Sequence, residues 1–424
     1  MAFLYDIVFS IFVVFYIPIM LWKKKWHSGM KIRFGAIPPK LRSAFQSAKP
    51  KIWVHAVSVG EVRAIAILIK QIKEKCSEYE VVCSTVTSTG YQFAQETLGD
   101  TAVVFYAPID FSWIVRKYID LIKPKVYIAA ETEIWPNIFT ELKRQNVPIV
   151  MVNGRISDQA FRKYYFIRSF VKRILGCVDV FCMQSQIESQ RIQELGAEPK
   201  RIRVVGNLKF DQSVQSGRLN RKGLGIEEDE DVWIAGSTHP GEEELIVQIY
   251  KELKQDFPKL RLILAPRHIE RTDEILGLFH REYIEAIRFS RLPLPQKMKD
   301  AVIVVDTIGH LSFLYEMATV VFVGKSLVGQ GGQNVIEPAA FGKPVIVGPN
   351  MENFREAMEM LTRARAVFQV RDDKQLKDVL VMLLKNEEKR EAYGERARAV
   401  CQEQRGALTQ TLSEVQKVLL REKE

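Results

Sequence analysis

The sequence lacks the patterns that mark metal sites and disulfide-stapled proteins. Its five cysteines, an odd number, include no pair with the spacing of a zinc-binding motif. Its six histidines include no H-E-x-x-H arrangement or similar ligand pair. We therefore predict no metal, no cofactor and no disulfide framework, and we expect the globular part to lie in a reducing compartment.

The bulk composition is that of an ordinary globular protein with excess positive charge. The 424 residues are 47% hydrophobic and 26% charged, with a formal net charge of +10. This length suits two α/β domains of about 180 residues each. The charge suggests an anionic partner, and by itself it leaves nucleic acid, acidic lipid and a phosphorylated substrate open.

The N-terminal segment is apolar and ends in a basic cluster. Residues 2–22 carry one charge, on Asp6, and Lys23, Lys24 and Lys25 follow at once. A cleaved signal peptide would have its positive charge before the apolar run, so this order argues against one. We predict a membrane anchor over residues 1–25, with the rest of the chain on the cytoplasmic face by the positive-inside rule. The pattern leaves open whether the anchor spans the bilayer or lies in the headgroup layer.

Beyond the anchor, strand-like apolar runs alternate with helix-like amphipathic runs. We predict an α/β domain over residues 30–211, a polar linker over 212–231, a second α/β domain over 232–400 and a terminal helix over 401–424. Strands joined by helical crossovers run parallel, so their carboxyl ends share one edge of a sheet. α/β proteins place their chemistry at that edge.

Glu61 stands at such a strand end in the first domain. It follows a predicted strand and the turn residues Ser58 and Gly60, and it opens a helix with a 3.6-residue apolar period. A carboxylate there is placed for catalysis. The same residue in the first turn of a helix stabilises that helix by about 0.3–1 kcal/mol. Position alone leaves both roles open.

Other strand ends of the first domain are also polar. Glu131 and Glu133 follow a buried strand beside a tryptophan, a pattern equally typical of a helix start with acidic first-turn residues. Asn153 and Arg155 follow the next strand. Several such openings in register predict a cleft at this sheet edge.

The run 161–175 mixes aromatic residues with five basic ones. As a helix it would be basic and amphipathic, the type that lies against an anionic membrane. The common alternative is a solvated helix whose aromatic stripe faces the core.

The second domain offers groups that suit an anion at two strand ends. Ser237, Thr238 and His239 stand at a helix start, where a phosphate or a sugar carboxylate would be favoured. Arg267 ends the next strand, and its planar fork suits phosphate or carboxylate, unless it forms a surface salt bridge.

The stretch 323–349 combines a strand, a glycine-rich loop and a helix start. Free amides and the helix dipole of such an arrangement favour a phosphate. Glu337 lies about one turn into the helix, where it could accept hydrogen bonds from ribose hydroxyls. An ordinary αβ loop with turn glycines gives the same pattern.

The same stretch carries a resemblance to a known family. Gly-Gly-Gln-Asn-Val-Ile-Glu-Pro-Ala-Ala at 331–340 resembles the nucleotide-sugar signature of GT-B glycosyltransferases, and in particular that of the 3-deoxy-D-manno-octulosonic acid (Kdo) transferases of lipopolysaccharide synthesis. Six further motifs in order extend the resemblance over nearly the full length: SVGE at 58–61, ETEIWPN at 131–137, NGRIS at 153–157, GNLKFD at 206–211, GSTH at 236–239 and PRH at 266–268. Each motif alone is weak, but the ordered set is specific. Gly154 departs from the pattern, since a small residue such as alanine is expected there.

The resemblance implies an α/β fold of the GT-B type, with two Rossmann-like domains facing a cleft and an N-terminal membrane-anchor helix. It implies an inverting, metal-independent transfer of Kdo from CMP-Kdo to a lipid A precursor at the inner membrane, with the family's proposed base on Glu61. The implied partners are CMP-Kdo, the lipid acceptor and the membrane surface, and not nucleic acid. The implied acceptor-binding residues of the N-terminal domain are Ser58, Gly60, Glu131, Glu133, Asn153 and Arg155. The implied donor-binding residues are Asn207, Lys209, Ser237, Thr238, His239, Arg267, Gly331, Gly332, Asn334 and Glu337.

Two other functions remain open from the sequence. One is a GT-B enzyme that uses a UDP-sugar on a lipid acceptor. The other is a catalytically inactive, membrane-tethered glycolipid-binding protein with a degenerate cleft. The presence of Glu61 and of the complete glycine loop counts against the second alternative.

Overall fold

The computed structural model describes residues 5–11, 13–15, 29–211, 220–293 and 300–421. These residues form two compact units. Unit 1 holds the described residues of Met1–Gln212 and Arg405–Glu424, and unit 2 holds those of Ser213–Gln404.

Unit 1 is built on a parallel sheet of seven strands in the order β3-β2-β1-β4-β5-β6-β7. Successive residues of the inner strand Lys51–His55 enter different cores, Ile52 and Val54 on one face and Trp53 on the other. Both faces are therefore covered, which explains why the strands read as continuous apolar runs. The strands are β1 (Lys51–His55), β2 (Glu80–Thr85), β3 (Ala102–Tyr106), β4 (Pro124–Ala130), β5 (Ile149–Gly154), β6 (Val180–Met183) and β7 (Ile202–Val204).

Helices connect these strands and cover both faces of the sheet. Several start at hydroxyl caps, as at Thr87, Ser157 and Ser185, whose side chains accept an amide hydrogen from the first turn. The helices between Gly29 and Asp211 are Met30–Arg33, Pro39–Phe45, Val59–Lys75, Ser88–Leu98, Ser112–Ile122, Pro136–Arg144, Asp158–Phe166, Arg168–Leu175 and Gln186–Glu194.

Unit 2 repeats the architecture with a parallel seven-stranded sheet in the order β10-β11-β9-β8-β12-β13-β14. Its strands are β8 (Asp231–Thr238), β9 (Leu260–Pro266), β10 (Ala286–Arg288), β11 (Val302–Val304), β12 (Val320–Val323), β13 (Val345–Val347) and β14 (Val367–Gln369). Its helices are Glu242–Asp256, Thr272–Arg281, Leu311–Tyr315, Ile336–Ala340, Arg355–Arg363, Asp373–Lys385 and Glu387–Glu403. Each unit is thus a Rossmann-like domain.

The C-terminal part of the chain differs from the single helix predicted over 401–424. One helix ends at Glu403 and another begins at Ala407, because Gly406 takes a left-handed conformation with φ of 96° between them. The last helix, Ala407–Arg421, belongs to unit 1. Asp211 holds its start by accepting hydrogen bonds from the amides of Gly406 and Leu408 at 2.7 and 2.5 Å.

The predicted anchor and linker are covered only in part. Residues 1–4, 12 and 16–25 of the anchor and 212–219 of the linker lie outside the described residues. Within the described ranges, no helix combines the length and the apolar character that crossing a membrane requires.

Candidate active site

In each sheet several of the candidate residues follow the two strands at which the strand order reverses. In unit 1 these strands are β1 and β4, and in unit 2 they are β8 and β12. Such a topological switch point leaves a crevice outside the carboxyl ends of the strands, where α/β domains bind ligands. Glu61 follows β1, and Glu131 and Glu133 follow β4. The fold therefore brings together carboxylates that are 70 residues apart in the chain.

Glu61 is held in place by two hydrogen bonds from the turn before its helix. Its carboxylate accepts the amide of Val57 at 2.7 Å and the hydroxyl of Ser58 at 2.9 Å. Ser58 is the N-cap of the helix, and Glu61 is its third residue, the spacing of a capping box. Glu61 is 7% exposed. Both roles weighed from the sequence are thus compatible with its position, since the capping contacts also orient the carboxylate.

Glu61 has an unusual affinity for its proton. Burial, then the negative charge of Glu133 and, to a lesser extent, that of Glu131 raise the pKa of Glu61 to about 8, against the hydrogen bond from Val57. Burial and the charge of Glu131 also raise the pKa of Glu133. Three carboxyl groups in one crevice, with one pKa near the working pH, form a typical acid–base site.

The loops around these carboxylates are tied to one another. The amide of Arg155 donates to the hydroxyl of Thr132 at 3.1 Å, and that hydroxyl donates to the carbonyl of Arg155. Glu131 itself adopts a left-handed conformation with φ of 53°. A Cβ on Gly90 would lie 3.2 Å from the carbonyl oxygen of Val57, so glycine permits close packing of this loop.

Two predicted ligand-binding asparagines lie in the interior of unit 1. Asn153 is fully buried, and its side-chain oxygen accepts the amide of Leu208 at 3.0 Å. Asn207 is 1% exposed, and its side-chain oxygen accepts the amide of the half-buried Lys209 at 3.0 Å. Asn153 thus connects two backbone segments of unit 1, and Asn207 stabilises its own turn. Asn207 and Lys209 also lie in a different unit from the other predicted donor-binding residues.

In unit 2, a buried carboxylate accepts hydrogen bonds from backbone amides of the glycine loop. Glu242, the first residue of helix Glu242–Asp256, is 1% exposed and accepts the amides of residues 325–328 at 2.7–3.3 Å. It also accepts the amide of His239 at 3.1 Å. Burial raises the pKa of Glu242, although these hydrogen bonds oppose the shift. The loop can approach this closely because Gly324 has no Cβ, which would lie 2.6 Å from the carbonyl oxygen of Ser237.

The loop residues predicted to bind the sugar donor lie together and form hydrogen bonds with one another or with neighbouring residues. The amide of Gly331 donates to Glu352 at 2.7 Å, and the amide of Gly332 donates to the carbonyl of Lys325 at 3.1 Å. The side chain of Asn334 donates to Glu337 at 2.7 Å. A phosphate would therefore reach the amides of Gly331 and Gly332 only by displacing internal partners.

Positive charge gathers beside this loop. The rings of His239 and His268 meet edge to face with centroids 5.6 Å apart. Burial lowers the pKa of His239, and the charges of Lys325, His268 and Arg267 lower it further. The side chain of Arg267 is exposed, while its amide donates to the carbonyl of Thr238 at 3.0 Å. This cluster suits an anionic ligand.

His239 adds a specific acceptor to the cluster. Its Nδ1 lies 3.2 Å from the carbonyl oxygen of Ser237, which only accepts, so Nδ1 carries the proton. The neutral ring then has Nε2 as an acceptor, which suits a hydroxyl group of a ligand better than a phosphate oxygen. Ser237 contributes through its carbonyl and a left-handed backbone with φ of 57°, and Thr238 is buried.

Three features of unit 2 were missed from the sequence. Glu242 looked like an ordinary acidic residue at a helix start, and Lys325 like a loop lysine. A cavity of about 640 Å³ also lies beside the loop, lined by Glu352, Arg355 and Arg363 among others. Its size suits a small-molecule ligand. The run of three glutamates at 242–244 was the one sequence signal for Glu242.

Comparisons with known proteins agree with this geometry. Residues 28–212 match the family model described as 3-deoxy-D-manno-octulosonic-acid transferase (kdotransferase), and residues 243–400 match glycosyl transferases group 1. The chain is 34% identical to a 3-deoxy-D-manno-octulosonic acid transferase of Haemophilus influenzae, with 85% of each chain covered. It is 28% identical to the enzyme of that description from Chlamydophila psittaci, over 97% of this chain and 95% of the relative. The solved structure of MurG from Acinetobacter baumannii shares the fold, with a TM-score of 0.55 at 12% identity over 87% of this chain and 99% of MurG.

The two Rossmann-like domains and the glycosyltransferase models matched in both halves define a glycosyltransferase of the GT-B fold. Within that class, the extent and level of identity decide the family. The chain belongs to the 3-deoxy-D-manno-octulosonic acid transferase family, and its activity is that of a Kdo transferase. The family and the GT-B type of fold with two Rossmann-like domains, both expected from the ordered motifs, are confirmed. The membrane-anchor helix stays a prediction.

Proposed function

We propose that this enzyme transfers Kdo from CMP-Kdo to a lipid A precursor, with inversion at the anomeric carbon and without a metal ion. The observation that carries the proposal is the buried Glu61, held by Val57 and Ser58 beside Glu131 and Glu133 at the switch point of unit 1. Family membership supports the transferred sugar. The donor nucleotide, the acceptor and the stereochemistry are our proposal.

Glu61 is the proposed general base. An acceptor hydroxyl loses its proton to the Glu61 carboxylate while its oxygen forms a bond to the anomeric carbon of Kdo. The bond from that carbon to the phosphate oxygen breaks, and its electron pair leaves with CMP. Attack from the face opposite the leaving group inverts the carbon. A positioned base contributes about 10²- to 10⁴-fold to such a step.

Unit 2 is the proposed donor domain. The exposed Arg267 and the neighbouring Lys325 supply positive charge for the phosphate and for the carboxylate of Kdo. Neutral His239 can accept a hydrogen bond from a sugar hydroxyl. Fixed cationic groups can stabilise the phosphate charge that develops on leaving, which is the task a metal ion performs in other transferases.

The proposed acceptor explains the character of unit 1. Ser58, Gly60, Glu131, Glu133 and Arg155 surround or adjoin the base, and we assign them to acceptor binding. A lipid acceptor requires access to a membrane surface, so we propose that the N-terminal segment attaches the enzyme to the cytoplasmic face of the inner membrane. The excess positive charge of the chain favours an anionic lipid surface.

The decisive experiment measures transfer by detergent-purified protein in the presence of EDTA. CMP-Kdo is supplied with a tetra-acylated lipid A precursor, and the product is identified by mass. A product heavier by Kdo supports donor, acceptor and metal independence together. No product with CMP-Kdo, or product only with a UDP-sugar, would refute the proposed donor.

The role of Glu61 is tested by Glu61→Gln with the same assay. We expect the variant to fold and to lose transfer by about 10²-fold or more. Glu96→Gln, on an exposed position of the helix Ser88–Leu98, is the matched control and should keep full activity. Undiminished turnover by Glu61→Gln would remove Glu61 from the role of base.

A further inference from the structure

The buried carboxylate of Asp6 connects the N-terminal helical residues to the rest of unit 1 by hydrogen bonds. Asp6 is 7% exposed. It accepts the amide and the hydroxyl of Ser112 at 3.2 and 2.6 Å and the side-chain amide of Asn137 at 2.7 Å. Asn137 closes the ETEIWPN motif, so the segment is attached next to the proposed acceptor loop.

Aromatic contacts fix the same face of the segment. The ring of Tyr5 stacks on that of Phe170 with centroids 6.2 Å apart, and the ring of Phe9 meets that of Phe111 edge to face at 5.1 Å. Asp6, Tyr5 and Phe9 therefore point to unit 1. Polar and aromatic contacts to three separate helices or loops define one orientation of this segment.

The chain returns to unit 1 at residue 29. Gly29 packs against the ring of Tyr106 so closely that a Cβ would have no room. Met30 is 2% exposed, and the guanidinium of Arg33 donates to the carbonyl of Ala107 at 3.2 Å. Asp6 and Met30 are thus both packed on the same domain.

These two attachments restrict how the segment can meet a membrane. One crossing between Asp6 and Met30 would place them on opposite sides of the bilayer. Two crossings would bring the chain back, but they need about 40 residues, and residues 7–29 are too few. Building on the membrane attachment proposed above, we infer that the chain does not cross the membrane between Asp6 and Met30, and that the helical residues 5–11 and 13–15 lie in the cytoplasmic leaflet.

The outward side of the segment is suited to that position. Among its residues that the structure describes, the exposed large apolar side chains are those of Ile7, Val8, Ile11, Val14 and Phe15, which is 73% exposed. Their spacing places them on one stripe of a helix, opposite the face that holds Asp6. An exposed apolar stripe on a helix fixed to its own domain is the arrangement of monotopic helices.

A second exposed apolar group precedes the helix that contacts this segment. Tyr165, Phe166 and Ile167 are exposed, Phe166 by 89%, and they lead directly into the helix whose Phe170 stacks on Tyr5. Exposed basic side chains flank them: Arg162, Lys163, Arg168, Lys172 and Arg173. Exposed apolar side chains flanked by basic ones are complementary to an anionic phospholipid leaflet, and we assign this surface to contact with such a leaflet.

The first test is the sidedness of the two chain ends. A short protease-cleavable tag is fused before Met1 in one version of the full chain and after Glu424 in another, and both are expressed in a Gram-negative host. We expect both tags to be cut in inverted inner-membrane vesicles and neither in spheroplasts. Cutting of the N-terminal tag in spheroplasts would overturn the inference. The inference would also be overturned if the N-terminal tag resisted the protease in both vesicles and spheroplasts and was cut only after detergent was added.

The second test is binding of the purified full-length enzyme to preformed vesicles of phosphatidylglycerol and phosphatidylethanolamine. Ile11→Asp and Phe166→Asp should each weaken binding roughly tenfold or more, since each removes apolar side-chain area from the leaflet. Ile308→Asp is the matched control, because Ile308 is 83% exposed and lies in unit 2. Equal weakening by the control, or none by the two variants, would contradict the inference.

The two proposals fail in different ways. All three variants should transfer Kdo normally in detergent, where no leaflet is needed. Absence of transfer by the unaltered enzyme in detergent would count against the proposed function, while the sidedness of the tags would still decide the position of the helix.

Discussion

The raised pKa of Glu61 predicts a steep dependence of transfer on pH. A general base must be ionised in the free enzyme, and kcat/KM reports that ionisation. With a pKa of about 8, roughly one Glu61 in eleven is a carboxylate at pH 7 and ten in eleven are at pH 9. We therefore expect kcat/KM to rise about tenfold between pH 7 and pH 9. An ordinary glutamate base would give a flat profile over this range.

The cause of the shift can be tested by removing a neighbouring charge. After burial, the charge of Glu133 contributes most to the raised pKa of Glu61, so Glu133→Gln should lower that pKa. The rise of kcat/KM with pH, which we call the acidic limb of the profile, should then move to lower pH. Glu131→Gln should move it in the same direction by less, because Glu131 contributes less. Glu96→Gln, exposed on another helix, should leave the limb in place.

The assay is the initial rate of transfer with acceptor and donor both well below saturation, from pH 6 to pH 9.5, in buffers of constant ionic strength. Circular dichroism at each pH confirms that the enzyme stays folded. A flat profile in this range would refute the raised pKa or the role of Glu61 as base. A limb that Glu133→Gln leaves unmoved would refute the assignment of its cause.

Two further predictions concern stability. Because the pKa of Glu61 is about 8 when folded against an ordinary 4.5, its contribution to stability is present below pH 4.5 and lost as the pH rises through 8. At pH 9, Glu61→Gln should thus be more stable than the unaltered enzyme by on the order of 5 kcal/mol, and equal denaturation curves would contradict this. Glu242→Ala leaves the amides of residues 325–328 without their carboxylate, so urea denaturation should show a loss of on the order of 3 kcal/mol. Glu244→Ala, which removes one bond to the amide of Gly241, should lose only about 1 kcal/mol; equal losses would remove the special role of Glu242.

Much of the fold could be predicted because its determinants are local. Apolar runs such as Val126–Ala130 are strands buried on both faces, and amphipathic runs between them are helices, so the pattern indicated parallel sheets. Parallel strands end at one edge, and this placed Glu61, Glu131 and Glu133 at candidate sites before any geometry was known. Ordered motifs then indicated the family. The site roles of these residues stay predictions until the variants are measured.

Local pattern could not show which polar groups bond inside the protein. Asn153 and Asn207 follow strands as ligand-binding residues do, yet their side-chain oxygens accept backbone amides in the interior. The glycine loop has the composition of a phosphate site, yet Glu242 occupies the amides of residues 325–328. These partners are up to 86 residues apart, and the order of strands in the sheet brings them together.

The sequence by itself determined the two α/β domains, the loops at their strand ends and the family, because periodicity, turn residues and motif order are properties of consecutive residues. Only the tertiary structure decided the proton affinity of Glu61, since burial and the charges of Glu131 and Glu133 depend on which strands are neighbours. It also decided the contacts of Asp6. In the sequence Asp6 interrupts an apolar run, and in the fold it bonds that run to Ser112 and Asn137, more than a hundred residues away.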